Sequence, residues 1–262
     1  MKRIQFFLLI IIAFSSCKKA SEEDFNNTPK GCQLTEFGGG SIYNIKLEYD
    51  EIGRISKVYT PNFEGGYDID EYYFEDNKIL VKHKNYTKEF HLQNGKIVEG
   101  NGFRNSSGIQ PLIDISKYSY SSNNQLNQFQ FQVNNDIKFK DKLSYINSNY
   151  IKSEFEMNSY KTEHFLTSGS GQYFPFNLHY LTQSSSAEIF FVNFTNNVLY
   201  EMGYFGEKSK NEFLSFSDSN RATKTFSKVL EKDNYGNVTK IQIKKEGEER
   251  NIYNVEFIYT CK

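Results

Sequence analysis

The feature that most limits what this chain can fold into is a strand-turn-strand unit that returns seven times. In "IKLEYDEIGRISKV", Ile45, Leu47 and Tyr49 alternate with Lys46 and Glu48. That is the period-two pattern of a strand with one apolar face. Asp50 to Gly53 then supplies turn residues, with Gly53 able to take a positive φ, and Ile55 opens the return strand. The same order recurs in "YYFEDNKILV" with Asp76-Asn77 at the turn, and in "FHLQNGKIVEG" with Asn94-Gly95. Asn-Gly is the strongest short hairpin signal. It recurs again in "YSYSSNNQLNQFQFQV" (Asn123-Asn124), "LSYINSNYIKSEFEM" (Asn147 to Asn149), "IFFVNFTNNVLYEM" (Asn196-Asn197) and "VLEKDNYGNVTKIQI" (Asp233 to Gly236). Turn-to-turn spacing is too uneven for a strict solenoid.

Ordinary strands fill the gaps. "NQFQFQV" and "DIKFK" alternate cleanly and pair with each other, and "YNVEFIYTC" makes a final strand. The 24 Phe and 19 Tyr suit pleated, half-buried surfaces. No window of normal helix length joins caps to an i, i+3, i+4 apolar stripe, although a short helix or irregular turn fits Pro111 to Ile115. The expectation is an all-β chain: an antiparallel meander of about a dozen or more strands with little helix, forming one domain over residues 32–262.

The N-terminus lies outside that domain. Lys2 and Arg3 precede an unbroken apolar run from Phe6 to Phe14, too short to span a bilayer and the right length for a signal peptide. The run ends in "FSSC", Phe14 to Cys17, which resembles the lipobox of bacterial lipoproteins, with Phe14 in place of the usual aliphatic residue. The resemblance implies a signal peptide over 1–16, acylation of Cys17, and a membrane partner held through that lipid. Residues 17–31 then form a polar tether with little apolar content. Within it, "SEEDF" (Ser21 to Phe25) resembles the acidic surface-export signals of Bacteroidota lipoproteins, and reads equally as a solvated linker. Lys18 and Lys19 argue against aspartate-type inner-membrane retention, so the expected location is the outer membrane, on either side.

Of the remaining cysteines, Cys32 opens the folded region and Cys261 continues the alternating series Val255, Phe257, Tyr259. An even pair in an exported protein suggests a disulfide from first strand to last, with two buried thiols as the alternative. Without Lys2 and Arg3 the chain carries 29 basic against 32 acidic residues. Such a balance gives no electrostatic case for nucleic acid.

"YDEIGRISKV" and "KDNYGNVTKIQI" resemble the tyrosine-aspartate (YD) hairpins of Rhs-type bacterial proteins, and more closely those of uncharacterised β-rich Bacteroidota lipoproteins. Tyr49, Asp50, Gly53, Arg54 and Ile55 match best, whereas Lys232 replaces the tyrosine in the second copy. The resemblance implies a large curled antiparallel sheet, either an open roll or an incomplete barrel. In Rhs shells such hairpins are walls, not catalysts.

Sequence motifs for chemistry are sparse. His83, His91, His164 and His179 form neither HExxH nor a zinc-spaced cluster. His83 and His91 make a conceivable metal pair, but surface strand histidines are the simpler reading. Asp68, Asp70 and Glu71 cluster without EF-hand spacing, as a solvated strand face would. No cofactor or metal is expected. Two long interruptions remain, Glu99 to Ser116 and Ser168 to Ser186. The second gathers Tyr173, Phe174, Phe176 and Tyr180 around Pro175. These aromatics either bind a sugar, peptide or lipid, or plug one end of the sheet, and capping an apolar sheet favours the plug. The functional expectation is a non-enzymatic, lipid-anchored envelope protein with a binding or scaffold role. Its partner would be a small hydrophobic molecule, a glycan or a protein. The alternative is a carrier of lipid or another hydrophobic ligand in a concave sheet face.

Overall fold

The structure is a computed structural model that describes residues 32–39, 42–104, 112–134, 136–176, 194–219, 221–247 and 252–261. Among the described residues sixteen strands follow one another. They are β1 (Cys32–Gly39), β2 (Ile42–Tyr49), β3 (Ile55–Pro61), β4 (Tyr67–Glu75), β5 (Lys78–Lys82), β6 (Tyr86–Gln93), β7 (Lys96–Arg104) and β8 (Leu112–Tyr120). The second half comprises β9 (Leu126–Val133), β10 (Asp136–Ile146), β11 (Asn149–Met157), β12 (Tyr160–Gln172), β13 (Asn211–Asp218), β14 (Arg221–Lys232), β15 (Val238–Lys245) and β16 (Ile252–Cys261). Among the described residues one helix, α1 (Phe194–Glu201), lies between β12 and β13.

Each strand pairs antiparallel with the next, and β1 pairs with β16, so the sheet closes into a barrel. Closure corrects the expectation of an open roll or incomplete barrel, and it removes the two sticky edges an open meander would expose. The seam runs through Cys32↔Cys261, Leu34↔Tyr259 and Phe37↔Phe257, with the two cysteines joined in a disulfide.

Six of the seven expected hairpin turns are present, and the connectivity sets all six on one rim together with the disulfide. Two of them share a detailed geometry. Asp50 Oδ1 accepts the amides of Ile52 (3.1 Å) and Arg54 (2.8 Å), and Asp233 Oδ1 accepts those of Tyr235 and Asn237, both at 2.9 Å. Gly53 and Gly236 follow at φ 87° and 88°, the left-handed region that glycine enters without penalty. The second carboxylate oxygen takes the side chain four residues on, Arg54 Nε at 2.7 Å or Asn237 Nδ2 at 2.8 Å. Asp50 and Gly53 are thus turn chemistry, not a pocket.

The seventh unit is not a hairpin. Asn196 and Asn197 fall inside α1, where every described side chain from Thr195 to Glu201 is buried. A helix enclosed on all sides has no polar face, so its sequence carries no amphipathic stripe to announce it. Two further expectations change. The described residues of Glu99 to Ser116 are strand, in β7 up to Arg104 and in β8 from Leu112, so the helix or irregular turn set at 111–115 gives way to β8 over 112–115. Ser168 to Gln172 likewise extends β12.

The polarity of the wall is decisive. Ile45, Leu47, Val58, Phe90 and Phe257 point inward, and with Phe37, Tyr150, Phe213 and Phe216 they build an aromatic-rich core. Outward positions carry charge at mid-strand, including Lys46, Glu48, Lys142, Glu154, Lys228 and Glu256, all exposed. Neighbouring strands pair these charges, as in Lys57–Glu71 (2.9 Å), Lys152–Glu163 (2.6 Å) and Lys240–Glu256 (3.2 Å). A lipid-facing barrel has the opposite pattern, and each Lys at the bilayer midplane would cost about 2–4 kcal/mol. Apolar side chains also face outward, among them Ile69, Phe165, Leu214 and Ile258, so the outer wall is mixed, with its charges at mid-strand where a lipid-facing band would be apolar.

Candidate functional site: the barrel lumen

The aromatic segment expected to act as a ligand site or plug lies inside the barrel mouth. Tyr173, Phe174 and Phe176 are all buried, whereas Tyr180 lies outside the described residues. Phe176 stacks on Phe37 at 4.6 Å between ring centroids, and Phe174 meets Phe257 edge-on at 5.7 Å. These contacts tie the segment to both strands of the seam. Their arrangement is that of a packed stopper, with each ring held by core partners.

One carboxylate fastens this stopper. Glu201, at the last turn of α1, accepts the Tyr173 hydroxyl and the Phe176 amide (2.9 Å), and its second oxygen lies 3.9 Å from Lys208 Nζ. Burial pushes the Glu201 carboxyl above its usual range, while Lys208 and the two hydrogen-bond donors oppose that shift. Beyond the helix, the Ile97 amide donates to Tyr204 O (3.0 Å) and the Glu207 amide to Asn124 O (3.1 Å). The Ser209 amide donates to the Tyr200 hydroxyl (2.8 Å), and Ser209 Oγ accepts the Tyr150 amide (3.0 Å). The insertion between β12 and β13 is therefore bonded to β7, the β8–β9 turn and β11.

Toward the other rim the lumen wall becomes polar. Lys88, Gly102 and Asp114 are register partners on three successive strands. A Cβ on Gly102 would sit 2.2 Å from the Asp114 carboxylate, so only glycine lets Asp114 reach across toward Lys88, 3.6 Å away. Burial lowers the Lys88 pKa and Asp114 partly restores it. On another part of the wall Ser153, His164 and Asp218 are also register partners. Ser153 Oγ donates to Asp141 and stands 3.5 Å from His164 Nδ1, with His164 Nε2 3.8 Å from Asp218. The composition is that of a hydrolase triad, but the setting is not. Ser153 is fully buried with its proton committed to Asp141, and the three residues stand side by side on neighbouring wall strands.

His164 has a stability consequence. Burial holds its pKa below the usual value, with the facing Asp218 opposing. The unfolded chain takes up a proton below about pH 6.5 that the folded chain refuses, so stability falls as pH drops through that window. Thermal melts between pH 7.5 and 5 are expected to show this loss, and His164→Gln to flatten it. Carboxylates held low by turn hydrogen bonds, such as Asp50 and Asp233, act only below about pH 4, so the two effects separate. An unchanged slope in the variant would remove His164 as the cause.

The other sequence candidates do not converge. His83 stacks on Tyr86 beside the β5–β6 turn, while His91 pairs on the outer wall with Lys78 and lies 3.2 Å from Glu89. Asp68 meets Lys84 and Asp70 faces Tyr86, whereas Glu71 points outward to Lys57. Strand alternation thus splits the acidic cluster between two faces. Cys17 and His179 lie outside the described residues. The lumen rows escaped the sequence reading because their members come from separate strands and meet only through register.

No protein-family model and no curated protein matches the sequence. Solved structures do. A porin-like protein from Bacteroides uniformis ATCC 8492 aligns over 89% of this chain and 98% of its own, with a TM-score of 0.66 at 12% identity. A porin-like protein from Bacteroides vulgatus ATCC 8482 aligns over 86% and 97%, with a TM-score of 0.59 at 12% identity. At that identity the likeness is one of fold.

Proposed function

We propose that the protein is a non-enzymatic lipoprotein of the outer membrane, held by acyl chains on Cys17, whose barrel stands in water and has a binding or scaffold role. The observation that carries this reading is the charged outer wall closed around a packed lumen. A barrel of this polarity needs a separate anchor to stay at a membrane, and "FSSC" supplies a candidate. Several buried acyl chains give stable attachment where one alone is marginal. The fold shared with porin-like Bacteroides proteins supports an outer-membrane setting. A channel is disfavoured because α1 and the Tyr173–Phe176 stopper occupy the lumen. The same packing favours a scaffold over a hydrophobic carrier, since core side chains stand where cargo would lie. On this reading the YD-like hairpins are wall units with shared turn chemistry.

The test is fractionation of the full chain and its Cys17→Ala variant in a bacterial host. The parent is expected in the outer-membrane fraction with an acyl mass increment on Cys17, and the variant is expected to lose both. A variant that remains an integral outer-membrane protein would overturn the reading.

A further inference from the structure

Among the described residues the five-residue turn seen at Asp50 and Asp233 occurs four times, and its outward residues differ in a patterned way. The same backbone bond joins residue one to residue five in Asp50–Arg54, Asn62–Gly66, Ser121–Gln125 and Asp233–Asn237. The middle residue is Glu64 in the second copy and Asn123 in the third, both exposed. In the first and fourth it is Ile52 and Tyr235, which are 71% and 61% exposed. Nothing in the turn requires an apolar residue there, as the other two copies show.

These two turns bracket the seam. The order β3-β2-β1-β16-β15-β14 sets Ile52 on one side of the disulfide and Tyr235 on the other. Gly53 lies against the Gln33 side chain, next to Cys32, and the charge of Asp233 is felt by Tyr259, two residues before Cys261. The chain also enters the barrel at Cys32. Fourteen residues separate Cys17 from Cys32, and a random-coil chain of that length has a root-mean-square end-to-end distance of about 20 Å. The eight residues of β1 span roughly 26 Å before tilt, at about 3.3 Å each. A lipid on Cys17 therefore holds the seam rim nearer the membrane than the far rim.

We propose that the seam rim is a membrane-facing foot, with Ile52 and Tyr235 seated in the lipid headgroup layer on either side of the tether. The proposal rests on Cys17 as the anchor. Tyrosine suits that layer, where its ring meets acyl chains and its hydroxyl meets water. Ile146, 58% exposed, stands on the same rim across the barrel. Two shallow apolar contacts beside a lipid tether turn a swinging attachment into an oriented one and aim the far rim away from the membrane. Phe63, 99% exposed in the Asn62–Gly66 turn of the far rim, is the internal control.

The chain contains no Trp, so single replacements report without background. The full acylated chain, as Tyr235→Trp, Ile52→Trp or Phe63→Trp, is reconstituted in phosphatidylethanolamine/phosphatidylglycerol vesicles. Quenching is measured with brominated phospholipid and with aqueous iodide. The first two variants are expected to be quenched by bromolipid and to lose iodide quenching at least three-fold relative to detergent solution. Phe63→Trp is expected to be untouched by bromolipid and open to iodide. Bromolipid quenching of Phe63→Trp alone, or full iodide access in all three, would overturn the foot. Mass spectrometry of the same samples separates the two readings. An acylated chain without quenching sinks the foot and keeps the anchor. An unacylated chain that still binds vesicles through Tyr235→Trp sinks the anchor and keeps the foot.

Discussion

Glu201→Ala is expected to lower the melting temperature by roughly 10 °C, the size of loss that follows when about 4 kcal/mol is removed from a domain of this length. The magnitude comes from what the carboxylate leaves behind. The Tyr173 hydroxyl and the Phe176 amide both donate to it inside the lumen, and each unpaired buried donor costs about 1–3 kcal/mol. Lys208 also loses its nearest carboxylate. Glu201→Gln keeps an acceptor at the same place and is expected to lose less than half as much. Thermal unfolding followed by circular dichroism measures both. An alanine variant within 2 °C of the parent would show that the stopper is held by its aromatic packing alone.

The second large effect belongs to the seam. Replacing Cys32 and Cys261 together with serine opens a link between residues 229 apart. The chain-entropy description assigns about 5 kcal/mol to a loop of that length, an upper figure because unfolded chains retain structure. A fall of 10 °C or more is expected, matched by reduction of the parent. The barrel is still expected to close, because Leu34↔Tyr259 and Phe37↔Phe257 continue the β1–β16 ladder without the sulfurs. Mass spectrometry after alkylation gives an independent check, since two free thiols in oxidised parent protein would contradict the bond.

Much of the wall was legible because strand alternation and turn chemistry are local. Leu47, Tyr49, Asp50 and Gly53 announce strand, strand, turn and turn from their own neighbourhood, and the structure places them so. Closure was less legible. Nothing in β1 or β16 alone says that they meet, and only the cysteine pair hinted at it. The helix was hidden for a related reason. "FTNNVLYE" contains asparagines that favour turns in a solvated chain, yet the lumen buries them on every side and tertiary packing overrides that preference. The lumen rows were invisible because Lys88 and Asp114, or Ser153, His164 and Asp218, become neighbours only once the strand register is set. The stopper was half legible. An aromatic run around Pro175 signals burial of some kind, but its fastener, Glu201, is 25 residues beyond Phe176.

The polarity of the barrel wall is tested most directly by sedimentation velocity of a chain beginning at residue 18, without detergent. A wall that carries Lys46, Lys142 and Lys228 at exposed mid-strand positions should give one compact, soluble species that binds no added detergent micelle. Aggregation relieved only by detergent, with a micelle travelling on the protein, would mean that the strands face lipid and would contradict the water-facing barrel.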